Sequence, residues 1–462
     1  MKSWKNRLTA LSLAIGSLPV AALADGDCDD QVALIRLTPG ASIAAFNQRN
    51  GSSTLGSIVS RDIYLVAVPP GTNYSDFVET AGDDPALLSL EQNCLVTDTS
   101  PEGGTRSFFF STAPGAYWDQ PAVSILDIDG AQGTSLGGGV TVAIIDTGVS
   151  PHTLVAPSII PGGYDFVLNN SNTGETGDGL DNDGDGFTDE MIGHGTFIAG
   201  LVLRVAPAAD ILPVRVMDDE GISSTFLLTA GVYHAIDAGA DILNISMGAT
   251  LPSTVLSDAI DAAHDAGTHV VSSVGNDGNE SPIRYPSGDS GVLAVGATDD
   301  FDIRADFSNY GLHVSLCAPG EALSSVNTSS GFVAADGTSF AAPLVAGTLA
   351  LLRSADPGAS RETVTSALLE NARFLDILNP SYAGKLGAGR LDSAAALADS
   401  RLCLGDATLD RSIDLSDLGV VLANFGLASG ATFALGDLNT DGVIDLSDLG
   451  VVLASFGRQC EE

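Results

Sequence analysis

The sequence predicts an α/β protein whose main domain is built on a doubly wound, mostly parallel sheet, with one small module before it and another after it. Its 462 residues exceed a single small core and allow a domain of about 250 to 300 residues with satellites. Between residues 117 and 400, apolar β-type runs alternate with helical patterns, which implies parallel strands covered on both faces. Residues 401–462 differ in character and carry an internal repeat.

The charge of the chain excludes some classes of partner. There are 58 acidic residues against 19 lysines and arginines, for a formal net charge of −39. Such a charge disfavours sequence-independent binding to nucleic acid or to anionic lipid. Hydrophobic residues make up 44% of the chain, which is enough to fill a core and excludes wholesale disorder. We expect an acidic, globular protein with no nucleic-acid partner.

Residues 1–24 have the pattern of a signal peptide. Residues 1–7 carry three positive charges, and residues 8–24 are uncharged, mostly apolar and end in the small-x-small tripeptide ALA. A retained membrane anchor is the alternative, but a glycine and a proline interrupt the apolar run and four aspartates follow it closely. We expect secretion, cleavage before Asp25 and no membrane span in the mature chain.

Residues 25–99 are predicted to form a small α+β domain. Their pattern follows a strand-helix-strand-strand-helix-strand order, the split βαβ plan of ferredoxin-like units. Strands are indicated over 32–35, 63–68 and 88–95, and helices over 41–48 and 75–80. Residues 100–116, rich in glycine, serine and proline, are predicted to be a linker open to proteolysis.

The five cysteines stand at positions 28, 94, 317, 403 and 460, without a CxxC pair or a Cys/His cluster of zinc spacing. In an exported chain, cysteines are expected to form disulfides. We predict the pairs Cys28–Cys94 and Cys403–Cys460, each bracketing one compact segment, and a buried free thiol at Cys317. The alternative is that some of the five are simply small buried hydrophobic residues.

The main domain, residues 117–400, places polar residues where predicted strands end. Strand signals run over 140–146, 209–216, 240–246, 269–275 and 292–298. Asp146, Ser246 and Asn276 stand at carboxyl ends, where the functional groups of a parallel sheet collect. Taken alone, each of them is more often a helix cap or a turn former.

Three polar residues of this domain together supply the groups of a nucleophilic hydrolase. Asp146 closes an apolar strand, His194 stands between two glycines at the start of a small-residue helix, and Ser339 precedes an apolar helix. Each alone has a structural explanation, as a cap or as a buried hydrogen-bonding group. Together they offer an acid to orient an imidazole, an imidazole to take a proton, and a hydroxyl at a helix start whose N–H groups favour an oxyanion.

The motifs around these residues are AIIDTGV (143–149), GHGTFIAG (193–200) and GTSFAAP (337–343). They resemble the three active-site motifs of the subtilisin-like serine peptidases, in the same chain order. The resemblance covers roughly residues 117–395. It implies a serine endopeptidase that acts on protein or peptide substrates through an acyl-enzyme. A non-catalytic binding protein on a peptidase fold is the alternative, which the intact motifs disfavour.

The same resemblance assigns roles to single residues. Ser339 would be the nucleophile, His194 the general base and then acid, and Asp146 the residue that orients His194. Asn276 would donate to the oxyanion beside the Ser339 N–H group. The strand that pairs with the substrate backbone would be formed by Ser246, Met247 and Gly248. No acid marks the specificity pocket, so we expect cleavage after apolar or broadly chosen residues.

By position and element order, the N-terminal domain resembles the inhibitory propeptide of these enzymes. This implies that it assists folding of the main domain, whose parallel pairing is non-local and slow. The predicted Cys28–Cys94 disulfide departs from the pattern of a disposable segment. It would let the domain persist in the mature enzyme.

An acidic loop over residues 178–190 lies between Asp146 and His194 in the sequence. Its carboxylates stand at every second position with a glycine after the third, a spacing that suits Ca²⁺. The candidate ligands are Asp181, Asp183, Asp185 and Asp189. The acid expected at the twelfth loop position is replaced by Ile192, and a solvated acidic loop is the alternative.

The tail contains two copies of one repeat, residues 404–426 and 435–457, which align without gaps. The candidate Ca²⁺ ligands are Asp406, Thr408, Asp410 and Asp417 in the first copy and Asp437, Asn439, Asp441 and Asp448 in the second. The second copy has the glycine that the turn of such a loop requires, whereas the first has Arg411 and should bind more weakly. Residues 401–462 are therefore predicted to be a small helical calcium-loop module.

Each repeat loop leads directly into one apolar helix, over 418–425 and 449–456, without a preceding helix. This arrangement resembles the type I dockerin, and that family docks onto a cohesin. The resemblance implies a cohesin-like scaffold partner and attachment to a scaffold or cell surface. A calcium-dependent stabilising cap without a partner is an equal alternative.

Overall fold

The structure is a computed structural model that describes residues 28–97, 110–181, 186–328, 331–399 and 401–460. The predicted signal peptide and most of the predicted linker lie outside these residues. Hydrophobic cores form within residues 28–97, on both faces of a large sheet, and within the tail. The core on one face of the large sheet also takes in residues of the N-terminal strands, so the first segment packs on the main domain.

Residues 28–97 form a four-stranded antiparallel sheet with two helices. The elements are β1 (Cys28–Leu37), α1 (Ile43–Asn50), β2 (Ser53–Ile58), β3 (Ile63–Ala67), α2 (Tyr74–Ala81) and β4 (Leu87–Thr97). The strand order is β2-β3-β1-β4. Ala33 and Ile35 of β1 share a core with Phe46 of α1, and the alternating residue Leu34 belongs to the core shared with the main domain. Strand β2 buries only Gly56 and Ile58, so no apolar run marks it in the sequence.

The cysteine pairing predicted from the sequence is confirmed. Cys28 and Cys94 face each other across β1 and β4 and form a disulfide. Cys403 and Cys460 form a second disulfide that joins the two ends of the tail. Cys317 is a free, fully buried thiol, and burial raises its pKa to about 12.

The main domain follows from residue 110. Its strands are β5 (Phe110–Thr112), β6 (Thr141–Asp146), β7 (Tyr164–Asp165), β8 (Asp210–Arg215), β9 (Ile222–Ser224), β10 (Ile242–Ile245), β11 (His269–Ser273), β12 (Leu293–Thr298), β13 (Leu316–Pro319), β14 (Leu323–Val326) and β15 (Phe332–Ala335). Its helices are α3 (Pro114–Trp118), α4 (Pro121–Ile125), α5 (Ile128–Gln132), α6 (His194–Val205), α7 (Thr225–Asp237), α8 (Thr254–Asp265), α9 (Thr338–Ala355), α10 (Arg361–Glu370) and α11 (Ser393–Leu397).

Seven of these strands form the central sheet, in the order β13-β12-β11-β10-β6-β8-β7, and all of its pairings are parallel. Alternate residues of β6 enter the cores on opposite faces. Val142 and Ile144 join the core that contains α6 and α9, whereas Ala143 and Ile145 join the core that contains α7 and α8. The predicted α/β architecture with a large parallel sheet is therefore confirmed.

Helix α9 is long and apolar enough to cross a bilayer, but 94% of its apolar window is buried inside the protein. It packs against α6 and against the strands at the centre of the sheet. We therefore assign it as the core helix of the main domain.

The tail contains two short helices, α12 (Leu415–Asn424) and α13 (Leu446–Ala454). Each begins with a capping box, formed by Asp414 and Asp417 in α12 and by Asp445 and Asp448 in α13. The apolar sides of both helices meet in a small core of their own. The duplicated sequence is thus matched by duplicated local structure.

Candidate active site

The Asp146 and His194 side chains are joined deep in the main domain. Asp146 is the last residue of β6 and His194 the first residue of α6, and both side chains are fully buried. The His194 Nδ1 and Asp146 Oδ1 atoms are 2.7 Å apart. Asp146 Oδ1 also accepts from the Thr147 N–H at 2.8 Å, which fixes the carboxylate in place. An imidazole held in this way has one orientation available to it.

Two glycines let the chain carry His194 so close to the end of β6. Gly193 has a φ of 102°, a left-handed conformation that side chains disfavour. A Cβ on Gly195 would lie 2.1 Å from the Gly148 carbonyl oxygen. The start of α6 therefore packs directly on the turn that follows Asp146.

Ser339 lies in the first turn of α9 with only 1% of its surface exposed. Its Oγ donates to the Ser246 carbonyl oxygen at 3.3 Å, and the Ser246 hydroxyl donates back to the Ser339 carbonyl at 2.9 Å. The next residue, Phe340, has its ring centroid 5.3 Å from that of His194. The start of α9 is thus held between the end of β10 and the imidazole of His194.

Asn276 follows β11 and turns toward the same helix start. Its Oδ1 accepts from both the N–H and the hydroxyl of Thr338, each at 2.8 Å. This pairing fixes which way the amide faces, and its Nδ2 lies near Gly337. An N–H donor of known orientation therefore stands beside Ser339.

The segment from Ser246 to Gly248 is the one predicted to pair with the substrate backbone. The Ser246 hydroxyl is used within the site, as described, and the Met247 side chain is fully buried. Gly248 pairs with Thr97, the last residue of β4, through two backbone hydrogen bonds of 3.0 and 3.3 Å. An extended chain segment is therefore already paired with this strand edge.

Glu175 is a buried acid of the site that sequence analysis missed. It is 8% exposed, and burial raises its pKa to about 7. Its Oε1 accepts from the Gly193 N–H at 2.9 Å and from the Thr147 hydroxyl at 2.5 Å. In the sequence it precedes the acidic loop and looks like one more solvated loop acid.

Comparison with known proteins now gives the family. The profile of the subtilase family matches residues 137–410 of the chain. Over 318 residues the chain is 32% identical to the thermostable alkaline protease of Halalkalibacterium halodurans, an alignment that covers 66% of this chain and 78% of that protein. The chain belongs to the subtilase family. It is a subtilisin-type serine endopeptidase.

One further relative agrees with this assignment, and one solved structure shares the fold. This subtilase is 37% identical over 237 residues to thermitase of Thermoactinomyces vulgaris, covering 51% of this chain and 82% of thermitase. Its fold is similar to the crystal structure of fervidolysin from Fervidobacterium pennivorans, a keratinolytic enzyme related to subtilisin, with a TM-score of 0.65 and 21% identity. That likeness covers 82% of this chain and spans 62% of the length of fervidolysin.

The acidic loop of the subtilase brings together a different set of carboxylates from the predicted one. Asp178, Asp189 and Asp219 form the one group of three acidic side chains, among the described residues, whose ligand atoms all lie within 4.8 Å. Only Asp189 belongs to the predicted set. Asp181 accepts from the Gly186 N–H at 3.0 Å. Asp183 and Asp185 lie outside the described residues. Asp219 is too distant in sequence to be found by loop spacing.

The tail loops of the subtilase bury five of their eight predicted ligands, whereas Thr408, Asp410 and Asp441 are exposed. Asp406, Asp417, Asp437 and Asp448 are almost completely buried, and Asn439 is 9% exposed. In the second loop, Asp437 accepts from the N–H groups of Asp441 and Gly442 at 3.1 and 3.0 Å, and Asp448 accepts from the Leu438 N–H at 2.7 Å. Burial raises the pKa of Asp406 and of Asp437.

In the first loop, Thr408 joins a similar network, where its hydroxyl donates to Asp417 at 3.0 Å. Asp410 accepts there from the Ser412 N–H at 2.9 Å.

Proposed function

We propose that the chain is a secreted, calcium-stabilised serine endopeptidase that hydrolyses peptide bonds through Asp146, His194 and Ser339. The observation that carries this proposal is the buried contact of 2.7 Å between His194 Nδ1 and Asp146 Oδ1, beside the helix start that holds Ser339. The signal-peptide pattern of residues 1–24 supports secretion.

In the proposed mechanism, His194 takes the proton of the Ser339 hydroxyl as Ser339 Oγ attacks the substrate carbonyl carbon. Asp146 keeps the Nδ1 proton of His194 in place and stabilises the imidazolium that forms. His194 then gives the proton to the leaving amine, and a water molecule hydrolyses the acyl-enzyme by the same steps. The Asn276 amide and the Ser339 N–H group would stabilise the oxyanion.

We also propose that residues 25–99 act as an inhibitory propeptide. The backbone of Thr97 pairs with Gly248, in the strand edge proposed to bind substrate, as the backbone of a bound peptide would. Glu91 accepts from the Thr254 N–H at 2.9 Å, at the start of α8, and Arg61 pairs with Asp237 at 2.6 Å. Self-cleavage would then fall downstream of Thr97, within the predicted linker, residues 100–116.

Calcium would bind at the group formed by Asp178, Asp189 and Asp219. Three carboxylates that close together repel one another, and their oxygens are the ligands that a hard cation prefers. Asp189 lies five positions before His194, so a bound ion would hold the loop that leads into α6. When bound, the ion supplies structural charge neutralisation rather than a reaction step.

For the tail, we propose two calcium loops that clamp the main domain. In the second loop, the Asn439 carbonyl accepts from the Leu136 N–H at 3.0 Å, and the Thr440 hydroxyl accepts from the Gly138 N–H at 3.2 Å. In the first loop, Arg411 pairs with the buried Asp356 at 2.9 Å. Because both loops face the main domain, ordering of the loops by calcium would stabilise it.

A cohesin-like partner is a second candidate role for the tail. The two helices expose apolar side chains at equivalent repeat positions, namely Leu415 and Leu446, Leu422 and Leu453, and Phe425 and Phe456. Calorimetric titration with a purified cohesin distinguishes the two roles. Calcium-dependent binding that is lost on replacing these leucines by serine would support an adaptor.

The test of the enzyme is cleavage of denatured casein by the purified, processed protein. We expect cleavage by the wild type in calcium, a strong loss with a chelator, and none by Ser339→Ala. Ser124→Ala, a change in the exposed part of α4, is the control and should retain activity. Intact casein in every sample would leave the non-catalytic binding protein as the better interpretation.

A further inference from the structure

We infer that Glu175 is a positioning residue that locks together the two segments carrying Asp146 and His194. This inference rests on the proposed catalytic roles of those two residues. We assign Glu175 no step of the reaction itself. It acts through the turn that follows Asp146 and through the first turn of α6.

The contacts of the Glu175 carboxylate span both segments. From the start of α6, Oε1 accepts from the N–H groups of Gly193 at 2.9 Å and Gly195 at 3.2 Å, and Oε2 accepts from the Thr196 hydroxyl. From the turn after Asp146, Oε1 accepts from the Thr147 hydroxyl at 2.5 Å. Four donors from two chain segments therefore converge on one carboxylate.

The start of α6 needs such a partner. Helices begin with N–H groups that have no partner within the helix, and a side chain at the N-cap position usually accepts from them. The N-cap residue of α6 is Gly193, which has no side chain, and no side-chain cap bond is formed there. Glu175, from a distant loop, supplies the missing acceptor and a negative charge at the positive end of the helix.

The charges around Glu175 couple it to the reacting pair. Asp146 faces it from the end of β6, and repulsion between the two carboxylates adds to the raised pKa of Glu175, after burial as the larger cause. His194 lies between Gly193 and Gly195, whose N–H groups donate to Glu175, and His152 is buried on the loop that follows β6. Arg215, at the end of β8, is engaged by Asp165 at 3.3 Å. An ionised Glu175 thus adds a second negative charge beside the imidazolium that His194 becomes.

Thr147 links the two acids directly. Its hydroxyl oxygen lies 2.5 Å from Glu175 Oε1 and 3.2 Å from Asp146 Oδ1, so the hydroxyl can donate its one proton to either carboxylate. When Glu175 is ionised, the hydroxyl donates to Glu175. When Glu175 is protonated, its own proton can go to the Thr147 oxygen, and the Thr147 proton turns to Asp146. The charge on Asp146 is then partly satisfied, and its support of His194 weakens.

The test compares the pH dependence of kcat/KM for a peptide substrate in wild type and Glu175→Gln. We expect kcat of the variant to fall roughly tenfold with KM nearly unchanged, because Glu175 does not touch the substrate. We also expect the acid limb of the profile to lose one titrating group and to move to lower pH. Glu362→Gln, an exposed acid on α10, is the control and should leave the profile unchanged.

A second variant tests the same inference in the opposite direction. Thr196→Val removes one donor to the Glu175 carboxylate, which favours its protonated form, so the acid limb should move to higher pH. Thr196→Ser keeps the donor and should restore the wild-type profile. If Glu175→Gln does not fold, as judged by its thermal unfolding, the Thr196 pair still decides the matter.

The outcomes separate this inference from the proposed function. Wild-type protein without peptidase activity would overturn the proposed function. If the wild type is active and Glu175→Gln loses kcat/KM equally at every pH, Glu175 has a purely structural role. That result would overturn this inference and leave the proposed function intact. An unchanged profile in both variants would overturn it as well.

Discussion

Asn276 engages Thr338 with its amide oxygen, and Ser246 engages the Ser339 carbonyl with its hydroxyl. Each side chain thereby uses one polar atom to fix the direction of another group in the site. Donors that are oriented before the substrate arrives need no reorganisation when charge develops, which is the main source of electrostatic catalysis. The geometry of single residues therefore predicts effects on kcat rather than on substrate binding.

Asn276→Ala is expected to lower kcat roughly a hundredfold to a thousandfold with little change in KM. Asn276→Asp is the matched comparison, because it keeps an acceptor for Thr338 but replaces the Nδ2 donor by an oxygen. Both variants should lose activity, as measured with a chromogenic peptide. If Asn276→Asp keeps most of the wild-type kcat, the amide donor is not part of the oxyanion site.

Glu175 also predicts how stability depends on pH. Its pKa in the folded protein is about 7, above its ordinary value of 4.5, because burial disfavours the charged form. Its contribution to stability is therefore complete below about pH 4.5 and is lost as the pH rises through 7. In a Ser339→Ala background, the melting temperature of Glu175→Gln should improve relative to its parent as the pH rises from about 4.5 to 7. A constant difference would contradict this titration.

At the scale of elements, α8 begins against the N-terminal domain. Ser253 and Glu91 both lie at its first turn, where Glu91 accepts from the Thr254 N–H at 2.9 Å and the Val255 N–H at 3.4 Å. A carboxylate from one domain thus caps a helix of the other. The strand pairing of β4 with β9 adds a backbone link between the same two domains.

Glu91→Gln in the separately produced N-terminal domain should therefore weaken its inhibition of the mature enzyme roughly tenfold, since a charge-assisted cap is lost. Inhibition constants measured against the processed enzyme test this. Glu79→Gln, on the exposed side of α2, is the control. Equal inhibition by all three domains would mean that α8 does not contribute to the inhibitory contact.

The main strands were predictable because both of their faces are buried, which gives continuous apolar runs. The expected strand over 140–146 is Thr141–Asp146, and the one over 269–275 is His269–Ser273. Residues whose partners are distant in sequence were not predictable. Glu175 and Asp219 follow no periodic pattern, and only the folded chain brings Asp219 to Asp178. Motif residues at strand ends are visible in a sequence, whereas the residues that support them are not.

At the scale of the whole molecule, the contact between Arg411 and Asp356 joins the tail to the main domain. Asp356 is 2% exposed and also accepts from the Cys403 N–H at 2.7 Å. Arg411 occupies the loop position where the second repeat has Gly442. The exception to the repeat is thus the residue that makes the interdomain ion pair.

Arg411→Ala should lower the free energy of unfolding by roughly 2 to 3 kcal/mol, because it leaves the Asp356 carboxylate buried without its cation. Thermal unfolding in saturating calcium, in a Ser339→Ala background, measures this. Arg361→Ala removes a surface ion pair and should cost about 0.5 kcal/mol or less. In a double-mutant cycle, Arg411→Ala should cost much less stability when Asp356 has already been replaced by Asn. Additive effects of the two changes would show that the two side chains are not coupled.

Helix α9 has Ser339 in its first turn and Ser354 in its last turn, and the Ser354 hydroxyl lies 3.4 Å from that of Thr440 in the second tail loop. Its 18 residues form a buried rod about 27 Å long. The proposed nucleophile, Ser339, and the contact with the tail therefore lie at opposite ends of one rigid helix. Under the proposed calcium binding by the tail, scarcity of calcium would remove the support at the far end of α9. The less stable enzyme would then become a substrate for other copies of itself.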